Sequence, residues 1–244
     1  MKAKSRNNNS QMFFILLALF LLMIGGNLLT YKGEGRIKKI PIVLDAAYGG
    51  ENKGNSGLLN ESEFNEQVVT ALETLLTEDG RFEVIRSHPQ NTDADISQRI
   101  EMINKAEPEL VISIHAALAH NKETSGMHIY VQLPDHKKHA DSVKIAEAVK
   151  TAFTKDDWIP DVSCLYYEPY EDGTYKVITK GVDETMEEDL DTWGLLEKCD
   201  YPAIVVEQLY LSNQKDIDRW TKENGYQQIA DLYFQSLKSL YDLE

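Results

Sequence analysis

The sequence predicts an α/β domain of three layers, a mostly parallel twisted sheet flanked by helices, preceded by one N-terminal transmembrane helix. Three observations predict it. Short apolar runs alternate with segments of helical period, the order that βαβ units produce. Three of these runs, Ile42–Asp45, Ile112–His115 and Val205–Glu207, end in an ionisable residue. Strands of an open sheet end this way at the edge where ligands bind. Finally, Met12–Leu29 is almost wholly apolar, and such a stretch rises roughly 27 Å as a helix, close to the hydrocarbon thickness of a bilayer.

Residues 1–11 form a basic tail whose Lys2, Lys4 and Arg6 predict a cytoplasmic N-terminus and an exported remainder, hence a single-pass protein of the cell membrane. Residues 12–30 are the signal-anchor. A cleaved signal peptide is the competing reading, but no A-x-A precedes a cleavage point and the apolar run exceeds a typical signal core. Residues 31–39 are a short polar linker, and residues 40–244 form the folded domain. Within it Pro41–Leu44 is apolar in succession, as a strand covered on both faces should be. A glycine-rich loop follows.

Glu61–Leu76 then places Phe64, Val68, Val69, Leu72, Leu75 and Leu76 at helical period, with Asn60 as N-cap and Asp79-Gly80 as its end. Phe82–Ile85, Glu109–His115 and Gly126–Leu133 read as strands, and Ser97–Ala106 and Asp141–Phe153 as helices. Lys155–Asp191 is acidic and tyrosine-rich without a clear period. It reads as an insertion or lid with no core of its own, in which Cys164–Tyr167 and Tyr175–Thr179 pair as a hairpin across Asp172-Gly173. Ala203–Glu207 is the last strand, and Asp216–Trp220 and Tyr226–Tyr241 close the chain as helices.

The chain of 244 residues is long enough to bury one sizeable core. Its formal net charge of −15 argues against nucleic acid and anionic headgroups as ligands of the domain. Cys164 and Cys199 are the only cysteines and lie outside zinc-site spacing. They either pair outside the cell or remain two small buried apolar residues. His88, His136 and His139 fall in polar contexts and read as solvated.

Asp45, His115 and Glu207 gather at one sheet edge if the strands are parallel, and Glu61 opens a helix facing that edge. A histidine, a carboxylate and a second carboxylate are components of a hydrolytic zinc site, in which the metal lowers the pKa of bound water to about 7. The order of segments is more specific than the residue types. Asp45-x-x-x-Gly49-Gly50, Glu61-x-x-x-Asn65, Arg99-x-x-x-x-Asn104 and Ile112-Ser113-Ile114-His115-Ala116 resemble the zinc-dependent N-acetylmuramoyl-L-alanine amidases that cut peptidoglycan. Pro202–Glu207, followed by Leu211-Ser212-Asn213 and Asp216, is similar to the closing signature of that family.

The resemblance implies Glu61 and His115 as zinc ligands and Glu207 as the catalytic acid/base, with Asp45, Gly49, Gly50, Asn65 and Arg99 at the site edge. The family's first ligand is the histidine of Asp-Pro-Gly-His-Gly-Gly; this chain places Tyr48 there, in Asp45-Ala46-Ala47-Tyr48-Gly49-Gly50. A phenol with a pKa of about 10 must lose a proton before it can ligate. Ala117 stands where the family usually has Asn, and Gln208-Leu209-Tyr210 replaces Leu-Gly-Phe. His128 and His120 are candidate compensating ligands, His128 standing where the family commonly has Glu.

Two readings follow from the resemblance. One is a membrane-anchored amidase using Zn(2+) to hydrolyse the bond between N-acetylmuramic acid and L-alanine. The other is a non-catalytic relative without metal, binding peptidoglycan, or binding a protein partner through residues 155–191.

Overall fold

The computed structural model describes residues 38–186 and 190–243. The expected signal-anchor at 12–30 lies outside the described residues, among which no helix is long and apolar enough to cross a membrane. Among the described residues eight strands form one sheet: β1 (Ile40–Ala46), β2 (Phe82–Arg86), β3 (Leu110–Ala117), β4 (His128–Val131), β5 (Asp161–Pro169), β6 (Tyr175–Lys180), β7 (Asp191–Thr192) and β8 (Ala203–Tyr210). Among the same described residues six helices accompany them: α1 (Glu61–Asp79), α2 (Ile96–Ala106), α3 (His139–Thr154), α4 (Gly194–Lys198), α5 (Gln214–Thr221) and α6 (Gly225–Leu240).

The strand order is β2-β1-β3-β8-β4-β5-β6, with β7 also on β5. β2, β1, β3 and β8 are parallel neighbours. β4 then runs antiparallel to β8, and β6 and β7 run antiparallel to β5. The sheet is therefore parallel where the candidate residues lie and mixed beyond β8.

Alternation along the central strands sorts side chains into two cores. Ile42, Leu44, Ile112, Ile114, Ile204 and Val206 pack with Phe64 and Val68 of α1, Ile145 of α3, Trp220 of α5 and Tyr233 of α6. Val43, Val111 and Val205 face the other way, toward Ile103 of α2 and Leu195 and Leu196 of α4. Asp45, His115 and Glu207 each share the parity of that second set. Parity and register together thus deliver all three to one face at the carboxyl ends of adjacent strands.

Local chemistry sets the helix ends. Asn60 occupies the N-cap position of α1, yet its side chain makes no cap hydrogen bond. It binds Ser56 and Glu63 instead. Gly80, with φ of 78°, ends α1 in the left-handed conformation that favours glycine. α2 begins with a capping box between Asp95 and Gln98.

Among the described residues, those of the 155–191 stretch do not form a separate lid. β5 pairs with β4 inside the sheet, and Cys164, Leu165 and Tyr166 are buried in the main core. The expected hairpin across Asp172-Gly173 is present as β5 and β6, with Tyr170, Tyr175 and Val177 exposed. A stretch with no period in sequence still fills a sheet position, because its strand is buried at its middle and exposed at its tip. Cys164 and Cys199 are both free and buried. His88 is buried, contrary to expectation; its ring nitrogens face the carbonyls of Ala46 and Pro89.

Candidate functional site

Asp45 lies fully buried at the end of β1. It accepts hydrogen bonds from the hydroxyls of Ser87 and Ser113, the latter at 2.6 Å, and from Arg99 Nη1 at 2.7 Å. Burial pushes its carboxyl up, but the Arg99 charge and the two hydroxyls outweigh burial and hold it below the usual carboxylate value. Asp45 is therefore an anchor joining β1, the end of β2, β3 and α2, with both of its acceptor oxygens already engaged. Asn65 has a comparable task, donating from α1 to the Ala47 carbonyl at 2.9 Å.

The loop after β1 makes a tight turn, with Gly49 and Asn52 exchanging both backbone hydrogen bonds. A Cβ on Gly49 would run into the carbonyl of Thr92, so only glycine fits. Gly50 shares that turn at a φ of 55°. Tyr48 itself has a φ of 68°, uncommon for a bulky residue. This conformation lays its ring over Gly54 and beside the Glu61 carboxylate.

Glu61 opens α1 and is 1% exposed. Its Oε2 accepts from the Asn55 N–H at 2.9 Å, and its Oε1 accepts from the Ala116 N–H at 3.1 Å. Oε1 also lies 3.2 Å from His115 Nδ1. The two residues that the resemblance assigned as ligands are thus brought together, from elements 54 positions apart in sequence. The Tyr48 ring meets His115 edge-on, with centroids 5.8 Å apart. Trp193 closes on His115 at 4.8 Å.

Glu207 on β8 stands opposite His115 of β3 and His128 of β4. Its carboxylate accepts from the Tyr130 hydroxyl at 2.9 Å. Burial raises the Glu207 carboxyl above its usual value, against the lowering effects of Tyr130, His115 and His128. His128 stacks on Tyr130 and hydrogen-bonds the Tyr210 hydroxyl at 3.1 Å. Six rings, Tyr48, His115, Trp193, Tyr130, His128 and Tyr210, thus form one continuous arc across the strand ends.

The family implies a zinc ion at this edge, and the donor set suits it only in part. Two ligands on a tetrahedral zinc at about 2.0–2.1 Å stand about 3.3 Å apart, close to the Glu61–His115 separation. The third donor fails chemically. Burial pushes the Tyr48 phenol up, and the charges of Glu61 and Glu207 push it further, with only Arg99 opposing. Without a metal the phenol is therefore protonated at neutral pH, whereas an imidazole is already a neutral donor there. Glu61 also has both oxygens engaged by backbone N–H groups. Neither His128 nor His120 compensates: among the described residues no three His, Cys, Asp or Glu side chains are grouped to hold a metal ion. His120 lines a different hollow, with Leu58 and Leu118. The residues present do not fit a three-ligand zinc centre.

The arrangement matches a known family. The family model described as N-acetylmuramoyl-L-alanine amidase matches residues 42–239. This chain belongs to that amidase family. A relative from Buchnera aphidicola subsp. Acyrthosiphon pisum (strain APS), named for the same activity, is 23% identical over 226 residues, covering 84% of this chain and 95% of its own. Among solved structures, the AmiC2 amidase of Nostoc punctiforme superposes with a TM-score of 0.64 at 18% identity, covering 86% of this chain and 99% of that one. The CwlD amidase of Clostridioides difficile, solved in complex with the GerS lipoprotein, gives a TM-score of 0.64 at 17% identity, covering 84% and 100%. At these identities the structural likeness shows the amidase fold.

Sequence reasoning missed Trp193 and Tyr130, which complete the arc. Trp193 follows directly on β7, a strand of two residues. Only the long-range pairing of β7 with β5 brings it to His115. Tyr130 was in a predicted strand, and its period-two spacing from His128 was the available signal.

Proposed function

We propose that this chain is a membrane-anchored, peptidoglycan-binding member of the amidase family whose zinc site is degenerate and whose turnover has been lost. The observation that carries the reading is Tyr48, a protonated phenol packed beside Glu61 and His115 at the family's first ligand position. The apolar, Lys/Arg-preceded segment at residues 12–30 supports anchoring with the domain outside the cytoplasm. The exposed β5–β6 tip, with Tyr170, Tyr175 and Val177, supports contact with a protein partner.

One observation favours the catalytic alternative. The Glu207 carboxyl is raised, the direction a general acid needs near neutral pH. In that case Glu207 would hold a proton toward the leaving amine, while Tyr130 fixed the carboxylate's orientation.

Metal content decides between them. Wild-type protein and Tyr48→His are purified without chelator, and zinc per chain is measured beside release of stem peptides from sacculi. The proposal expects wild type to bind sacculi with neither zinc nor release, and Tyr48→His to gain zinc. About one zinc per wild-type chain together with peptide release would overturn it.

A further inference from the structure

Among the described residues, most of the large apolar side chains left exposed gather in two places. One is a groove. Leu58, after β1, and Leu118, after β3, are 53% and 47% exposed and border a hollow of about 490 Å³. A neighbouring hollow of about 320 Å³ shares Leu58, Lys122 and Ser212 with it, so the two are continuous. Hydrogen bonds between the walls fix the groove's shape. The Leu58 N–H donates to the Leu211 carbonyl at 2.8 Å, the Ala119 N–H to the Ser212 hydroxyl at 3.2 Å, and Asn213 Nδ2 to the Thr124 carbonyl at 3.1 Å. Lys122 and Lys215 lie along it, and neither has an ion-pair partner among the described residues. The other place is the tip of the β5–β6 hairpin, where Tyr170, Tyr175 and Val177 are between 52% and 56% exposed. Its turn is closed by the Tyr170 N–H on the Thr174 carbonyl at 2.7 Å and by Asp172, which accepts from the Thr174 N–H and hydroxyl. Among the described residues no hairpin side chain lines the groove, so the two features do not meet within one chain.

We propose that the hairpin tip of one copy docks into the groove of a second copy, a head-to-tail contact between identical chains. This names the partner of the tip and rests on the partner contact proposed above. Shape is the first argument: one feature is a hollow with an apolar rim, and the other presents aromatic side chains of the kind that anchor interfaces by filling such hollows. Charge is the second. Lys122 and Lys215 against Glu123 leave the groove positive, whereas Glu168, Glu171 and Asp172 against Lys176 leave the tip negative. Copies of a chain with a net charge of −15 repel one another at long range. A contact between copies therefore needs a local basic surface, and the groove supplies it. Both halves are already shaped by their own hydrogen bonds, which lowers the ordering cost of association. The tip and the groove are different surfaces, so each docked copy leaves one of each free. Such a contact builds open chains or closes into a ring.

The test asks whether the contact has two different halves. Full-length protein in detergent micelles is followed by sedimentation velocity from about 1 to 500 μM. Wild type should associate reversibly, and more weakly by several-fold when salt is raised from about 50 to 500 mM. Tyr170→Ala removes an anchor from the tip, and Leu118→Glu places a repelling charge in the groove. Both residues are exposed, so neither change should move the thermal midpoint. Each variant alone should associate with itself at least about tenfold more weakly. Mixed together, the two should recover a one-to-one complex of near wild-type affinity, because the first keeps its groove and the second keeps its tip. Wild type that stays monomeric over the whole range would overturn the contact. So would association that survives either substitution, that ignores salt, or that the mixture fails to restore. Wild type that is monomeric yet binds sacculi overturns the contact and leaves the proposed peptidoglycan binding standing. Wild type that associates as described without binding sacculi does the reverse.

Discussion

Tyr48 and His115 meet edge-on at 5.8 Å with their ring planes 83° apart, so the phenol ring packs directly against the imidazole. The Tyr48 hydroxyl has no hydrogen-bond partner among the described residues. The ring therefore contributes packing while the oxygen contributes little. Tyr48→Phe is expected to change stability by less than about 0.5 kcal/mol and to leave zinc content and sacculus binding as in wild type. Thermal unfolding and elemental analysis of the same preparation check this. A fall in bound metal in Tyr48→Phe would show that the phenol oxygen is a ligand after all.

Glu207 offers a test with the opposite sign. Its carboxyl is raised by burial, so folding favours its protonated form. Its penalty on the native state is absent below the unfolded value of about 4.3 and grows as pH rises through the shifted folded value. Glu207→Gln keeps an acceptor for the Tyr130 hydroxyl and removes the charge. It should stabilise the fold by about 1 kcal/mol at pH 7 and leave it unchanged near pH 4. Urea unfolding at the two pH values checks the difference, and equal midpoints for both proteins at pH 7 would contradict it.

Much of the site was legible because strand parity is legible. Asp45, His115 and Glu207 end apolar runs at matching phase, and parallel pairing alone then brings them to one face. The capping box at Asp95 and Gln98 was also there to be read and would have fixed the start of α2. Other features were hidden for physical reasons. The hairpin of β5 and β6 was legible, but the seating of β5 beside β4 in the main sheet was not, because β5 is buried only at its middle and shows no period. His88 looked solvated in a polar stretch, yet the carbonyls of Ala46 and Pro89 satisfy its ring inside the fold. Trp193 depends on a pairing between residues far apart in sequence.

Gly54 reports on the packing of Tyr48. A Cβ at this position would sit 2.5 Å from Tyr48 Cδ2 and 2.8 Å from Glu61 Oε2, and the backbone φ is +62°. Gly54→Ala should therefore cost about 1–3 kcal/mol, combining left-handed strain with displacement of the ring. Removing the ring relieves the second part only. In a double-mutant cycle with Tyr48→Ala, Gly54→Ala should cost about 1 kcal/mol less than it does alone. Additive losses would mean that Tyr48 does not press on Gly54 in solution.

The Asp45–Arg99 pair sets the acid limit of the domain. Asp45 has a folded pKa below its unfolded value of about 3.9, so its contribution is present in full above that value. As pH falls through the depressed folded value the unfolded chain takes up the proton first, and stability declines. Asp45→Asn removes this dependence and leaves the buried Arg99 charge without its carboxylate. A cost of about 3–5 kcal/mol at pH 7 is expected. The gap to wild type should close as pH drops below about 4, because the unfolded wild-type chain then binds a proton that the folded one does not. Added salt should do little to the gap at neutral pH, since both groups are shielded from solvent. Unfolding midpoints in urea across pH 2.5 to 7, at low and high salt, give all three comparisons. A gap independent of pH would mean that the hydroxyls of Ser87 and Ser113, more than the ion pair, hold this corner of the sheet.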